Sequence, residues 1–205
     1  MNEEFDVPLC VSLGLGNQKV GKVWTFSLPS VVTCPGASPW CREHCYARRL
    51  ERFRPNCKTA YLRNLALSLD PNQLVSKVLA ALPEDAEHMR IHVGGDFYSQ
   101  EYIRSFIRIC EARPATRFWS YTRSWSVPEL LPALERLRAL NNVELFASVD
   151  MDMPMAPEGW RIAFIADDPR ASGLVCPHQQ GLLPSCLACG YCLRPRPGNV
   201  IFNVH

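Results

Sequence analysis

Hydrophobic and polar positions along the chain change period several times, and each change predicts an element. "KVWTFSL" (22–28) alternates and is rich in β-branched and aromatic residues, which predicts a strand. It leads straight into a cysteine-bearing loop, "VVTCPGASPWCREHCYARR" (31–49). Helical spacing then predicts "REHCYARRLERF" (42–53), "TAYLRNLALSLD" (59–70) and "PNQLVSKVLAAL" (71–82), the last with Pro71 in its first turn. From "MRIHV" (89–93) onward, strands and helices alternate. That strand ends at Gly94-Gly95-Asp96 and is followed by the amphipathic helix "EYIRSFIRICEA" (101–112). "TRFWSY" (116–121) precedes the helix "VPELLPALERLRAL" (127–140), and "NVELFAS" (142–148) runs into Val149-Asp150. "RIAFIA" (161–166) ends at Asp167-Asp168, and "NVIFNV" (199–204) closes the chain.

Such alternation predicts an α/β fold with a parallel sheet, either wound or curved into a partial barrel. In folds of that kind chemistry gathers at the carboxyl ends of the strands. The cysteine loop, Gly94-Gly95-Asp96, Ser120 to Arg123, Ser148 to Asp150 and Asp167-Asp168 all fall at those ends, so one functional rim is expected. "GNQKVGKV" (16–23) resembles a phosphate-binding loop, but Val23 stands where Ser or Thr must hold magnesium and a strand follows instead of a helix. It predicts a hairpin turn.

Bulk properties narrow the class. At 205 residues and 47% hydrophobic, the chain suits a single domain: residues 1–30 a hairpin and first strand, 31–170 the core, 171–205 a cysteine-rich segment. A net charge of +2 gives no global reason for a nucleic-acid or membrane partner. The segment "MNEEFDVPLC" has no cationic and apolar leader pattern, and no apolar run approaches a bilayer span. Seven of the ten cysteines fall in two groups with metal-ligand spacing, which argues for a reducing, cytoplasmic setting over disulfides. Cys110 shares the apolar face of its helix and reads as core, while Cys10 and Cys57 read as core or incidental.

Cys34, Cys41 and Cys45 are spaced C-x6-C-x3-C. Three thiolates suit a [4Fe–4S] cluster with one iron lacking a protein ligand; zinc with His44 as fourth ligand is the competing reading, though adjacent His44 and Cys45 point apart on a helix start. Cys176, Cys186, Cys189 and Cys192, spaced C-x9-C-x2-C-x2-C, suit a second, fully ligated cluster or a zinc ion. His178 reads as a loop residue. Trp119, Tyr121 and Arg123 alternate onto one face and suit a planar substrate, with core packing as the alternative for the tryptophans. Arg42, Arg48, Arg49, Arg52 and Arg54 make a basic surface that suits phosphates or plain solvation, so a zinc-stabilised nucleic-acid-binding module is a second hypothesis. An iron–sulfur protein with non-radical chemistry at an open iron is a third.

The stretch "KVWTFSLPSVVTCPGASPWCREHCYA" resembles the radical-SAM superfamily, and most of all phage-associated radical-SAM-like families with a longer first gap and a Cys-Tyr-Ala ending. The usual signature is C-x3-C-x2-C, so both gaps depart from it. The resemblance implies a partial (β/α)6 TIM-like barrel and a cluster whose open iron binds S-adenosylmethionine. One electron from a donor such as flavodoxin or ferredoxin would then cleave the cofactor and start radical chemistry. It implies further that Gly94, Gly95 and Asp96 hold the methionine amino group, where an ordinary turn is the alternative. By the same likeness Ser148 and Asp150 face the ribose, and His44 packs on adenine. The substrate stays open among nucleotide, nucleic acid and peptide.

Overall fold

The computed structural model describes residues 10–17 and 19–204, so positions 1–9 of the stretch searched for a leader pattern lie outside them. Two strands, β1 (Gly14–Asn17) and β2 (Gly21–Phe26), pair antiparallel as the expected hairpin. Gly16 has φ +57°, and a Cβ there would meet the Gly21 carbonyl oxygen at 1.8 Å. The glycines of the phosphate-loop lookalike therefore serve the turn.

The expected single helix over 42–53 is two helices, α1 (Pro39–Glu43) and α2 (Tyr46–Phe53). Ser38 caps α1, with its hydroxyl accepting from Cys41 N. Cys45 is extended and caps α2, its sulfur accepting from Arg48 N. A capping side chain at each start is what allows the chain to break between them. Next come α3 (Pro55–Ser68) and α4 (Pro71–Ala81), the latter capped by Asp70, whose carboxylate accepts from Asn72 N and Gln73 N. Asn64, wholly buried on α3, donates to the carbonyls of Ser12 and Ser27 and ties the incoming chain to β2.

The alternating region follows as β3 (His88–Ile91), α5 (Gln100–Ala112), β4 (Arg117–Thr122), α6 (Leu131–Arg138), β5 (Val143–Val149) and β6 (Arg161–Ile165). Helix α6 begins four residues later than its periodicity suggests. Pro132 fits a first turn, where no amide partner is needed, but not a helix interior. The expected closing strand is β8 (Val200–Phe202), and the two-residue β7 (Leu174–Val175), which pattern alone does not show, completes the sheet, with the short α7 (Cys186–Cys189) between them in the chain.

The sheet order is β1-β2-β3-β4-β5-β6-β8-β7, parallel throughout except for β1, and open at both edges. Its two faces differ. Phe26, Met89, Ile91, Phe118, Leu145 and Phe164 point to the side packed by α4, α5 and α6, which forms the main core. Val23, Trp119, Phe146 and Val200 point the other way, where Cys176, Leu187, Cys192 and Leu193 of the C-terminal segment pack on them. No described helix is long and apolar enough to cross a membrane. All ten cysteines are free thiols: Cys110 is buried in the helix-side core as expected, Cys10 is exposed, and Cys57 is half-buried.

Candidate functional site

A cavity of about 640 Å³ opens at the carboxyl ends of β2 to β5 and runs along the sheet face opposite the helices. The loop after β2 forms one wall. Leu28 N donates to Gly94 O (3.0 Å), and Thr33 Oγ1 donates to Pro29 O (2.6 Å), so the loop is fixed against the β3 end before it reaches its first cysteine. Cys34, Cys41 and Cys45 all line this wall, half-buried. Burial, aided by the nearby Asp96 carboxylate, pushes the Cys34 thiol up to about 12, and burial raises Cys41 against the opposing pull of Arg123. The sulfurs share a wall without converging: among the described residues no three Cys, His, Asp or Glu side chains are grouped closely enough to hold a metal ion.

Gly94, Gly95 and Asp96 face the same cavity. Gly95 has φ +78°, and a Cβ there would lie 2.6 Å from Leu28 Cβ and 2.7 Å from Thr33 Oγ1. Asp96 is buried and accepts from Phe97 N (2.7 Å), Thr122 Oγ1 (2.6 Å) and Arg123 N (2.8 Å). Desolvation raises its pKa against those donors. Ser124 also acts on the carboxylate, so its acceptor sites are largely taken by the protein.

Several expected contacts are arranged differently. Ser148 lines the cavity, but Asp150 does not: its carboxylate is wholly buried, accepting from Ser38 Oγ (2.7 Å) and paired with Arg123. A buried carboxylate needs that counter-charge, so Asp150 holds the cysteine loop instead of facing a ribose. Arg123 reaches the cavity wall with Trp119 and Tyr121, as alternation predicts, yet its charge is spent on Asp150. Trp125 lies in the helix-side core, its Nε1 donating to Ser148 O (3.1 Å). Ser120 is buried and donates to Ile91 O, while Asp168 pairs with Arg170 (2.6 Å), which lowers its pKa; both lie off the cavity. His44 lines the cavity and stacks on Trp40, with ring centroids 4.4 Å apart and Nδ1 3.0 Å from Trp40 O.

The second cysteine group sits on the sheet face beside the first. Cys186 N donates to Lys19 O (2.8 Å) and Cys176 N to Ile201 O (2.9 Å), so the tail is pinned by backbone to the hairpin turn and to β8. Cys186 lines the cavity. Burial pushes Cys192 up to about 12, opposed by its hydrogen bond with Tyr121. His178 Nδ1 lies 3.2 Å from Leu183 O, a loop contact as expected.

Residues 12–182 match the sequence profile of a family described as Gene product 88. The chain belongs to that family. The Gene 88 protein of Mycobacterium phage L5 is 29% identical over 220 aligned residues, covering 92% of this chain and 90% of that protein. The Gene 88 protein of Mycobacterium phage D29 is 31% identical over 150 residues, covering 67% of this chain and 61% of that protein. No solved structure matches. The Gene product 88 match agrees with the phage side of the resemblance; the radical-SAM side rests on the residues themselves. The matched span holds Cys34, Cys41, Cys45, Gly94, Gly95, Asp96 and Cys176, and it ends before Cys186, Cys189 and Cys192.

Trp40, Lys19 and Arg90 of this Gene product 88 chain also line the cavity, although no motif points to them. Arg90 sits one position from the apolar pair Met89 and Ile91 on β3. The only available signal was alternation, which sends it to the face opposite those two.

Proposed function

We propose that this chain is an iron–sulfur enzyme of radical-SAM type, with Cys34, Cys41 and Cys45 holding a [4Fe–4S] cluster and the cavity accepting S-adenosylmethionine. The observation that carries the reading is a shared cavity wall. Three cysteines from a loop 31–45 and a Gly-Gly-acid turn 94–96 line one cavity at the carboxyl edge of a parallel sheet. The donor types fit, one short of four soft thiolates, although the three sulfurs must draw together to share one cluster, and metal binding would release their protons. When bound, that group would supply one-electron chemistry on S-adenosylmethionine, with a donor such as flavodoxin or ferredoxin delivering the electron.

The chain's own residues do the positioning. Gly95 lets the end of β3 pack tightly against Leu28 and Thr33 of the cysteine loop, and Asp96 offers a carboxylate to the ligand amino group. Trp40 and His44 form a stacked pair against which a flat ring can pack. Asp150 and Arg123 hold the loop through Ser38. On this reading the sheet is the wall of a partial (β/α)6 barrel whose open side the C-terminal segment covers, and Cys176, Cys186, Cys189 and Cys192 hold a second cluster or a zinc ion.

Air-free purification tests the assignment. The protein should be brown, with about four irons per cluster, and should cleave S-adenosylmethionine once reduced. Cys34→Ala, Cys41→Ala and Cys45→Ala should each abolish cleavage. A colourless protein with zinc at both groups, or cleavage that survives all three changes, removes the reading.

A further inference from the structure

The cavity lining is rich in cations. Lys19, Arg49, Arg54 and Arg90 line it together with Arg123, whereas Asp96 is the only acidic lining residue among the described ones. Arg123 is neutralised by Asp150. Arg90 is not: among the described residues it forms no ion pair with a carboxylate. Its Nε donates to His92 O (3.1 Å), one Nη lies 3.5 Å from Tyr46 Oη, and the guanidinium sits 5.3 Å from the Tyr121 ring centroid. Arginine has five N–H donors, so this fork retains donors for a ligand.

A desolvated cation held by aromatic side chains and one carbonyl, with the Cys186 thiol nearby but no carboxylate among the described residues, is costly unless an anion arrives. Parallel register sets Arg90 beside Trp119 on β4, with Tyr121 two residues further along that strand. Phe202 packs edge-on against Tyr121 at 5.3 Å, and Lys19 Nζ lies 5.7 Å from the Phe202 ring centroid. Flat apolar rings and fixed positive charge therefore share one end of the cavity, about 640 Å³ in all, and cavities of roughly 300–1,000 Å³ take small molecules.

We propose that Arg90 and Lys19, flanked by Tyr121, Trp119 and Phe202, bind the phosphate of a small aromatic phosphate ester of the nucleoside monophosphate kind. Tyr121 and Phe202 offer faces and edges to the ring, and the Arg90 fork matches phosphate oxygens. Under the proposed reaction this ligand is the substrate, but the binding claim stands on the cavity alone. Arg90, not Arg123, is the arginine that reads the anion.

Calorimetric titration of the protein as purified without air tests this, with uridine 5′-monophosphate, uridine, phenyl phosphate, phenol and inorganic phosphate as probes. The two esters should bind at least about tenfold more tightly than their uncharged counterparts and than inorganic phosphate, and less tightly as salt rises. Arg90→Gln should weaken both esters by about tenfold or more with metal content unchanged, and Lys19→Gln in the hairpin turn supplies the second variant should Arg90→Gln not fold. Equal binding of uridine and its monophosphate, binding unchanged in both variants, or no binding of either ester overturns the proposal. Loss of metal in Arg90→Gln does so too, because the arginine would then be a counter-charge for the second cysteine group. The two readings fail separately: ester binding by an unchanged protein that does not cleave S-adenosylmethionine sinks the cysteine assignment alone, and cleavage without ester binding sinks this proposal alone.

Discussion

Replacing Asp150 by alanine tests how the cysteine loop is held. The side chains of Asp150 and Arg123 are 0% and 10% exposed, so this is a buried pair, not a surface bridge. The carboxylate accepts from Ser38 Oγ (2.7 Å), from the Arg123 guanidinium and from Asp152 N (3.0 Å). Asp150→Ala removes all three bonds and leaves a buried guanidinium without its counter-charge, a loss of about 3–5 kcal/mol for pairs of this kind. Arg123→Met strands the carboxylate and should cost a similar amount. The double variant removes both charges together, so its cost should fall short of the summed single costs by at least about 1 kcal/mol. Urea unfolding of the four proteins at pH 7 measures the cycle. A second readout is local: with Ser38 released, Cys41 should react faster with a maleimide than in the parent protein. Single costs below about 1 kcal/mol, or a cycle additive within about 0.5 kcal/mol, would refute the claim that this pair anchors the loop.

Two further outcomes follow from backbone and burial. His92 is buried beside Phe97 and Tyr102, its Nε2 2.8 Å from Tyr102 Oη, and burial with the nearby Arg90 charge lowers its pKa to about 3. The folded protein therefore refuses a proton that the unfolded chain accepts below its ordinary value of 6.5, so stability falls as pH drops from about 6.5 towards 3. The share from His92 is about 1.4 kcal/mol per pH unit within that window. His92→Asn, which tolerates φ +66°, should remove this share of the slope; parallel stability curves for the two proteins would rule it out. Gly95→Ala places a Cβ 2.6 Å from Leu28 Cβ at a left-handed backbone, and should cost about 2–5 kcal/mol by urea unfolding. Gly94→Ala, whose nearest contact is Tyr61 Cε2 at 3.1 Å, should cost less, and equal losses would contradict the geometry.

Element types were legible in the chain because period 2 and period 3.6 are local properties. The hairpin over 14–26, the amphipathic α5 and the strands β3 to β6 are all readable from facing alone. The gathering of Cys34, Gly94 to Asp96 and Ser148 at one edge was legible too, since a parallel sheet brings successive strand ends together. Boundaries were less so: the break before α2 depends on the Cys45 sulfur capping a new helix, and the start of α6 on where Pro132 is tolerated.

What only the tertiary structure decided is which polar groups already have partners. No spacing rule says that Asp150 spends its charge on Arg123 and Ser38, or that Arg90 meets Tyr46 and Tyr121 with no carboxylate among the described residues to pair. Partners more than twenty residues away along the chain meet by packing of the whole sheet, and burial then fixes the electrostatic cost of each charge. Periodicity tells a residue which side to face; only the assembled fold tells it what is there.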